Sequence, residues 1–517
     1  NNSTTTLLSF TDEPNVVRVS ADGAGIYVSF TGLGDIHTFD AVTLQPGAVL
    51  SVQSNVGISS NYEVLDIAMS PVDADLLAVA FRFVGFGAKD TVMFDGGVQL
   101  PNSNRDPGTS ESSTDFDRLE FAADGVRLFA GVSGTTGSAV LDLDENGIAS
   151  AKRLANMFGS NVRRVGNRLV GGSTVYDGDT LVRIGSFTGA LANAFALDEQ
   201  NGLAYEVQRG MLNAYDSESY VPLASYDLVV NPDTVFTEIV PAGGSFAIVA
   251  EESLRLVDVA DIEVQNSAAC DVLAMTTGDD DPYTQYQCPV TDVVYDPARA
   301  RIYAAIGSSI GVNGNSIAVI DPTLAVVESY LAVGSEPRQL QISADGSLLH
   351  IIYDGADLLT TVDLASLSVS RTRQIDLVDT GTSLEPSQAL KIAVSPLAAD
   401  TVVMLLDELA GSFFGGLTVF QDGVPLVDDV PTTDLQGSPT NRDIQVVFDV
   451  SGSPYALIDD VDTATVQSLT IGPSGLSAGA FFQLAGVPVG WWGRADVQGN
   501  EVFTPLGSVI DLVSQTG

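Results

Sequence analysis

Two small groups of residues in this chain have the types and spacing that chemistry would need. "DLDENG", from Asp142 to Gly147, places oxygen ligands at alternate positions, Asp142, Asp144 and Asn146, ahead of a glycine that permits a sharp turn. This is the first half of a calcium loop. The pattern then departs, with Ser150 at the ninth position and Arg153 where a bidentate glutamate would close the shell. Calcium is therefore the one cofactor the sequence suggests, set against the plainer reading of a polar turn between two strands. The second group is the cysteine pair, Cys270 and Cys288, which brackets "DVLAMTTGDDDPYTQYQ". A local pair of thiols in so long a chain points to a disulfide formed in an oxidising compartment, worth on the order of 3 kcal/mol through loop closure. The alternative is two buried free thiols.

Other candidates carry less. Histidine occurs only as His37 and His350, both read as ordinary strand residues, so no Ser-His-Asp or Cys-His arrangement is in sight. Asp279, Asp280 and Asp281 stand beside two tyrosines and suit a cation or a basic partner, although acidic loops of this kind usually serve as solvated connectors. "VDDV" at Val427 and "IDDVD" at Ile458 are discounted in the same way. Trp491 and Trp492 are adjacent, and strand alternation sends them to opposite faces.

Charge narrows the class of partner. The 517 residues include 66 acidic and 22 basic side chains, a net charge of −44, and the only lysines are Lys89, Lys152 and Lys391. Such a surface repels phosphate backbones and anionic headgroups, which argues against nucleic acid and favours cations or basic partners. It also suits a saline or calcium-rich exterior, where counterions screen self-repulsion. No signal peptide begins the sequence; "NNSTTT" reads as a polar tether, either a frayed terminus or the start of a chain whose signal or lipidated cysteine has been removed. The uncharged run from Thr463 to Gly493 contains Pro473 and Pro488 and reads as strands and turns, so no transmembrane segment is expected.

The elements that would position these groups come from a repeat. Phe10 to Phe30 reads "FTDEPNVVRVSADGAGIYVSF", and Val333 to Asp354 reads "VGSEPRQLQISADGSLLHIIYD". Apolar alternation, an Asp/Gly/Pro turn and a second apolar run recur about eleven times, mostly near fifty residues apart. A third run closes on Asp40, Asp95, Asp142, Asp177, Asp216, Asp258, Asp321 and Asp363, where an aspartate can bond the backbone two residues on and start a turn. Period-2 alternation with turns at this spacing predicts an all-β chain of β-propeller blades.

The phrase resembles the YVTN-type repeat propellers, relatives of WD40-like and lactonase-type propellers. Pro14 and Pro337, Ser20 and Ser343, Asp22 and Asp345, Gly23 and Gly346, and Tyr27 match, while His350 replaces the second tyrosine and the "SP" pair survives at Ser70 and Ser395. The resemblance implies a fold and no activity.

Eleven blades exceed one ring, so two tandem propellers are expected, 1–266 with about six repeats and 267–517 with about five, joined by a loop at 266–289. "CDVLAMTTG" after Cys270 reads as an outer strand, and the units ending after "SLRLVDVADIEV" and "SVIDLVS" each lack one. Thr6, Leu7, Leu8, Ser9 and Phe10 read as a further outer strand, which closes a ring or is donated to a neighbouring copy. The functional expectation is a non-catalytic binding or assembly module, extracellular, periplasmic or on the cell surface. Its partner would be a protein, a glycan or its own copies in a surface layer or filament. The alternative is a lactonase-like hydrolase with a central-channel site.

Overall fold

The computed structural model describes residues 10–53, 61–84, 89–104, 116–131, 138–154, 157–158, 162–187, 194–198, 201–208, 210–228, 236–242, 245–250, 253–258, 271–273, 285–287, 289–324, 326–379, 383–408, 416–427, 429–431, 434–435, 444–460, 463–485, 496–503 and 509–512. Strands dominate, with one 3-10 turn at Ser308–Ile310 among the described elements. Among the described residues eleven antiparallel meanders of three or four strands follow one another, each strand paired with the next. This is the blade construction of a β-propeller, and the count equals the number of repeats in the sequence.

Burial shows why the residues are patterned as they are. Middle strands are covered on both faces: Leu76–Phe83 (LLAVAFRF) and Ser316–Asp321 (SIAVID) are almost wholly buried. Last strands are polar and open, as in Ser368–Gln374 (SVSRTRQ). The apolar clusters lie between successive sheets. Val16, Ile36 and Leu50 of the first meet Val64, Val79 and Phe81 of the second, and Tyr303 and Ile317 meet Leu340, Leu349 and Ile351 farther on. Each such side chain contributes about 1.5–3 kcal/mol by burial, so neighbouring sheets hold each other in place.

The repeated turns are near copies. The Ser20 hydroxyl donates to the Asp22 carboxylate at 2.6 Å and accepts from Gly25 N–H at 2.8 Å, and Ser343, Asp345 and Leu348 repeat the pattern at 2.6 and 3.0 Å. Gly23 (φ 72°) and Gly346 (φ 69°) take the left-handed conformation that such a turn needs. At several of its positions the recurrent aspartate works as expected from the sequence. Asp40, Asp177, Asp216 and Asp363 each accept the N–H groups two and three residues on, plus the hydroxyl of the Thr or Ser at the third position. These backbone bonds hold the Asp40 and Asp363 carboxyls below the usual carboxylate range.

Two compact units emerge, Asn1–Leu181 with Asp379–Glu385, and Val182–Val378 with Pro386–Gly517. The division expected near residue 266 lies at residues outside those described. The first unit also contains a pairing that periodicity cannot show. Ser383–Glu385 adds in parallel to the last strand of the third meander, Arg153 opposite Ser383, and Lys152 forms an ion pair with Asp379. The segment after Cys270 also differs from expectation. Asp271–Leu273 pairs with Gln285–Gln287 in a hairpin of its own, not as the outer strand of a meander. Among the described residues the meanders at 236–258 and 496–511 have three strands each.

Candidate functional site

The polar side chains that converge in each unit come from the first strand of successive meanders, called lead strands below. In the first unit these are Pro14–Val19, Tyr62–Met69, Arg118–Phe121 and Arg163–Val165, each lying beside the next. In the second unit Val290–Asp296, Pro337–Ile342, Ser387–Val394 and Ile444–Phe448 do the same.

A shared irregularity aims the side chains. Lead strands slip register against their second strands at Pro14/Val16, Val64/Asp66, Phe236/Glu238, Val290/Asp292, Pro337/Gln339 and Ala389/Lys391. A bulge of this kind breaks the alternation and turns the following side chain along the sheet edge. Three of those side chains then latch one sheet to the next. Asp66 accepts Leu119 N–H at 3.0 Å, Asp292 accepts Leu340 N–H at 2.8 Å, and Gln339 accepts Ile392 N–H at 3.0 Å.

In the first unit the latch sits in a charged cluster. Asp66 is completely buried and receives Arg18 at 2.7 Å, with Arg118 at 3.8 Å from the same oxygen. Arg118 and Glu120 are two apart on one strand and so share a face, while Leu119 and Phe121 enter the core. Glu120 lies 3.9 Å from Arg164 Nε. The Glu120 side chain keeps 24% of its surface open, yet it is surrounded by strands. Desolvation pushes its carboxyl up to about 7, against the pull of Arg163 and Arg164. A carboxyl poised near neutrality among guanidiniums can hold or release a proton at ordinary pH.

In the second unit the lead strands line a cavity of about 590 Å³. Its polar wall includes Asp292, Arg338, Gln339, Gln341, Lys391 and Gln445. Gln339 and Asp292 are held by the latches, and Arg338 donates to Asp354 at 2.8 Å. The buried Gln341 Oε1 has no hydrogen-bond partner.

The residues singled out in the sequence lie elsewhere. Asp142 and Asp144 sit at the hairpin between Ser138–Asp144 and Gly147–Leu154, Asp142 accepting the Ser150 hydroxyl at 2.6 Å and Asp144 accepting Asn146 N–H at 2.7 Å. Among the described residues no group of three or more His, Cys, Asp or Glu side chains is placed to hold a metal ion. His350 is buried, its Nε2 at 2.8 Å from Ala399 O and its Nδ1 at 3.2 Å from Thr361 Oγ1. Nε2 therefore carries the proton and Nδ1 accepts, and burial lowers the imidazole pKa. The His37 ring packs edge-on to Phe30 at 5.1 Å. Phe10 packs edge-on to Phe30 and Phe39 at 5.2 and 5.7 Å. Thr6, Leu7, Leu8, Ser9, Cys270, Cys288, the Asp279–Asp281 cluster and both tryptophans lie outside the described residues.

Neither the charged cluster nor the amide-lined cavity was singled out from the sequence. The available signal was charge where a lead strand should be apolar: Arg118 and Glu120 in "RLEF", and the adjacent Arg163 and Arg164 in an arginine-poor chain.

No family model matches the chain, and no curated protein does. Among solved structures, the chain is similar to dihydro-heme d1 dehydrogenase NirN in complex with DHE, at 13% identity over 70% of this chain and 67% of that one, with a TM-score of 0.27. It is also similar to the Myceliophteria thermophila Cps50 (Swd1) beta-propeller domain, at 10% identity over 71% of this chain and 98% of that one, with a TM-score of 0.26. At these scores the likeness adds nothing to what the sheets themselves show. Among the described residues no helix is long and apolar enough to cross a membrane.

Proposed function

We propose that the chain is a non-catalytic binding module, working outside the cell or at its surface, that takes a protein or glycan ligand into the cavity of its second unit. One observation carries this reading: three side-chain amides, Gln339, Gln341 and Gln445, face the same 590 Å³ space beside Arg338 and Lys391. An amide offers a donor and an acceptor together, which suits hydroxyl or peptide groups; the Gln339 amide is engaged with the Ile392 backbone, and the buried Gln341 Oε1 is the unpartnered atom left to take a donor. The acidic exterior favours a basic or cation-bridged partner around that point of entry.

The test is a glycan array and a basic-peptide library screened with the full chain, followed by titration of any hit against Gln341→Leu and Gln445→Leu. Loss of about tenfold or more in affinity is expected from an unpaired polar contact. A hit with affinity unchanged in both variants removes the cavity from the account. Assembly through donation of the segment ending at Phe10 is a further part of this reading. Deleting residues 1–10 would then abolish any polymer while leaving the remaining blades folded. The hydrolase alternative draws on Glu120, whose carboxyl sits near neutrality. A lactone-hydrolysis assay with a divalent-metal screen separates it from binding alone.

A further inference from the structure

We propose that the charged cluster on the lead strands of the first unit is a binding site for the oxyanion group, carboxylate or phosphate, of a small solute. The inference is independent of the second unit's cavity. It starts from an inversion of charge. The whole chain has 22 basic residues against 66 acidic ones, yet four neighbouring lead strands bring together Arg18, Arg118, Arg163 and Arg164 with two carboxyls, Asp66 and Glu120. Grouping guanidiniums costs stability through mutual repulsion and desolvation, so packing alone gives no reason for it.

The two acids do not use up the donors. Asp66 already serves Arg18 through one oxygen and Leu119 N–H through the other. Arg118 stands 3.8 Å from Asp66, beyond hydrogen-bonding range. Arg164 Nε stands 3.9 Å from Glu120 and, although buried, has no hydrogen-bond partner. A buried guanidinium nitrogen without an acceptor is costly, and an entering oxyanion would supply one. Arg118 shares a strand face with Glu120, and Arg164 lies beside it with Nη1 donating to Gly166 O at 3.0 Å; the Arg118 fork and the Nε edge of Arg164 match the oxygens of a carboxylate or phosphate. The site is reachable, since the Arg118 and Arg164 side chains keep 31% and 21% of their surface open.

Isothermal titration of the full chain at low ionic strength with sodium phosphate, sodium citrate and, as a neutral control, glucose tests the proposal. Phosphate and citrate distinguish the two oxyanion sources. Saturable binding of at least one is expected, weakened by about tenfold or more in Arg118→Gln and Arg164→Gln. Arg118→Lys keeps the charge without the fork and is expected to fall between. Arg301→Gln, which removes an arginine paired with Glu328 in the second unit, is expected to bind like the parent. Thermal melting of every variant establishes that it is folded; should either glutamine variant fail to fold, the lysine variant decides. No saturable binding of phosphate or citrate by the parent chain overturns the proposal. So does unchanged affinity in the folded variants, or an equal loss in Arg301→Gln.

Discussion

Replacing Glu120 by glutamine should make the protein more stable at alkaline pH and leave it nearly unchanged at acid pH. The carboxyl rises from 4.5 to about 7 because desolvation outweighs the attraction of Arg163 and Arg164. That rise corresponds to about 3 kcal/mol of preference for the protonated form. An acid whose pKa is raised in the folded state binds its proton more tightly there than in the unfolded chain. Stability is therefore retained below 4.5 and lost progressively as pH rises through about 7. Glutamine keeps the shape and cannot ionise. Urea unfolding followed by far-UV circular dichroism, on parent and Glu120→Gln, at pH 4.5 and pH 8, isolates the effect, because the other carboxyls titrate in both proteins. The variant should gain about 3 kcal/mol relative to the parent between those two conditions. A difference that stays constant with pH would show that burial does not dominate. A parent favoured at pH 8 would show that the ion pair with Arg164 outweighs desolvation.

Three further outcomes are expected. His350 has its imidazole pKa lowered by burial, so the unfolded chain takes up its proton first as pH falls below about 6.5. His350→Gln should therefore flatten the loss of melting temperature between pH 7.5 and pH 5, and a slope equal to the parent's would refute the assignment. Gly185 faces the ring of Tyr220, where an added Cβ would overlap it. Gly185→Ala should cost about 1–3 kcal/mol in urea unfolding, and a neutral result would mean that the ring moves aside freely. The bond expected between Cys270 and Cys288 falls on residues outside those described and has its own check. Thiol titration of the denatured, non-reduced chain should find no free thiol, and two would sink that pairing.

Much of the local architecture was legible in the chain. Alternation in "GIYVSF" and "LLHIIY" depends on neighbouring residues alone, as do the glycine turns at Gly23 and Gly346 and the aspartate that closes each third strand. Each answers to local sterics and hydrogen bonds within five residues. The number of meanders followed from counting these signals. The bulge after Pro14 or Pro337 was not legible, because slipping one residue against a partner strand depends on the partner. The latch residues Asp66, Asp292 and Gln339 were therefore hidden among ordinary polar positions.

By itself the sequence determined an all-β chain of about eleven repeated sheets, an acidic exterior and the turn chemistry, since these rest on composition and short-range geometry. The tertiary structure alone decided which side chains meet. Arg18, Asp66, Arg118, Glu120 and Arg164 lie on four strands about fifty residues apart and become neighbours only when the sheets pack face to face. Ser383–Glu385 joins the strand ending at Leu154 more than two hundred residues away. Long-range pairing of this kind is selected by the burial of whole faces, which no local pattern encodes, and the raised Glu120 carboxyl exists only within that packing.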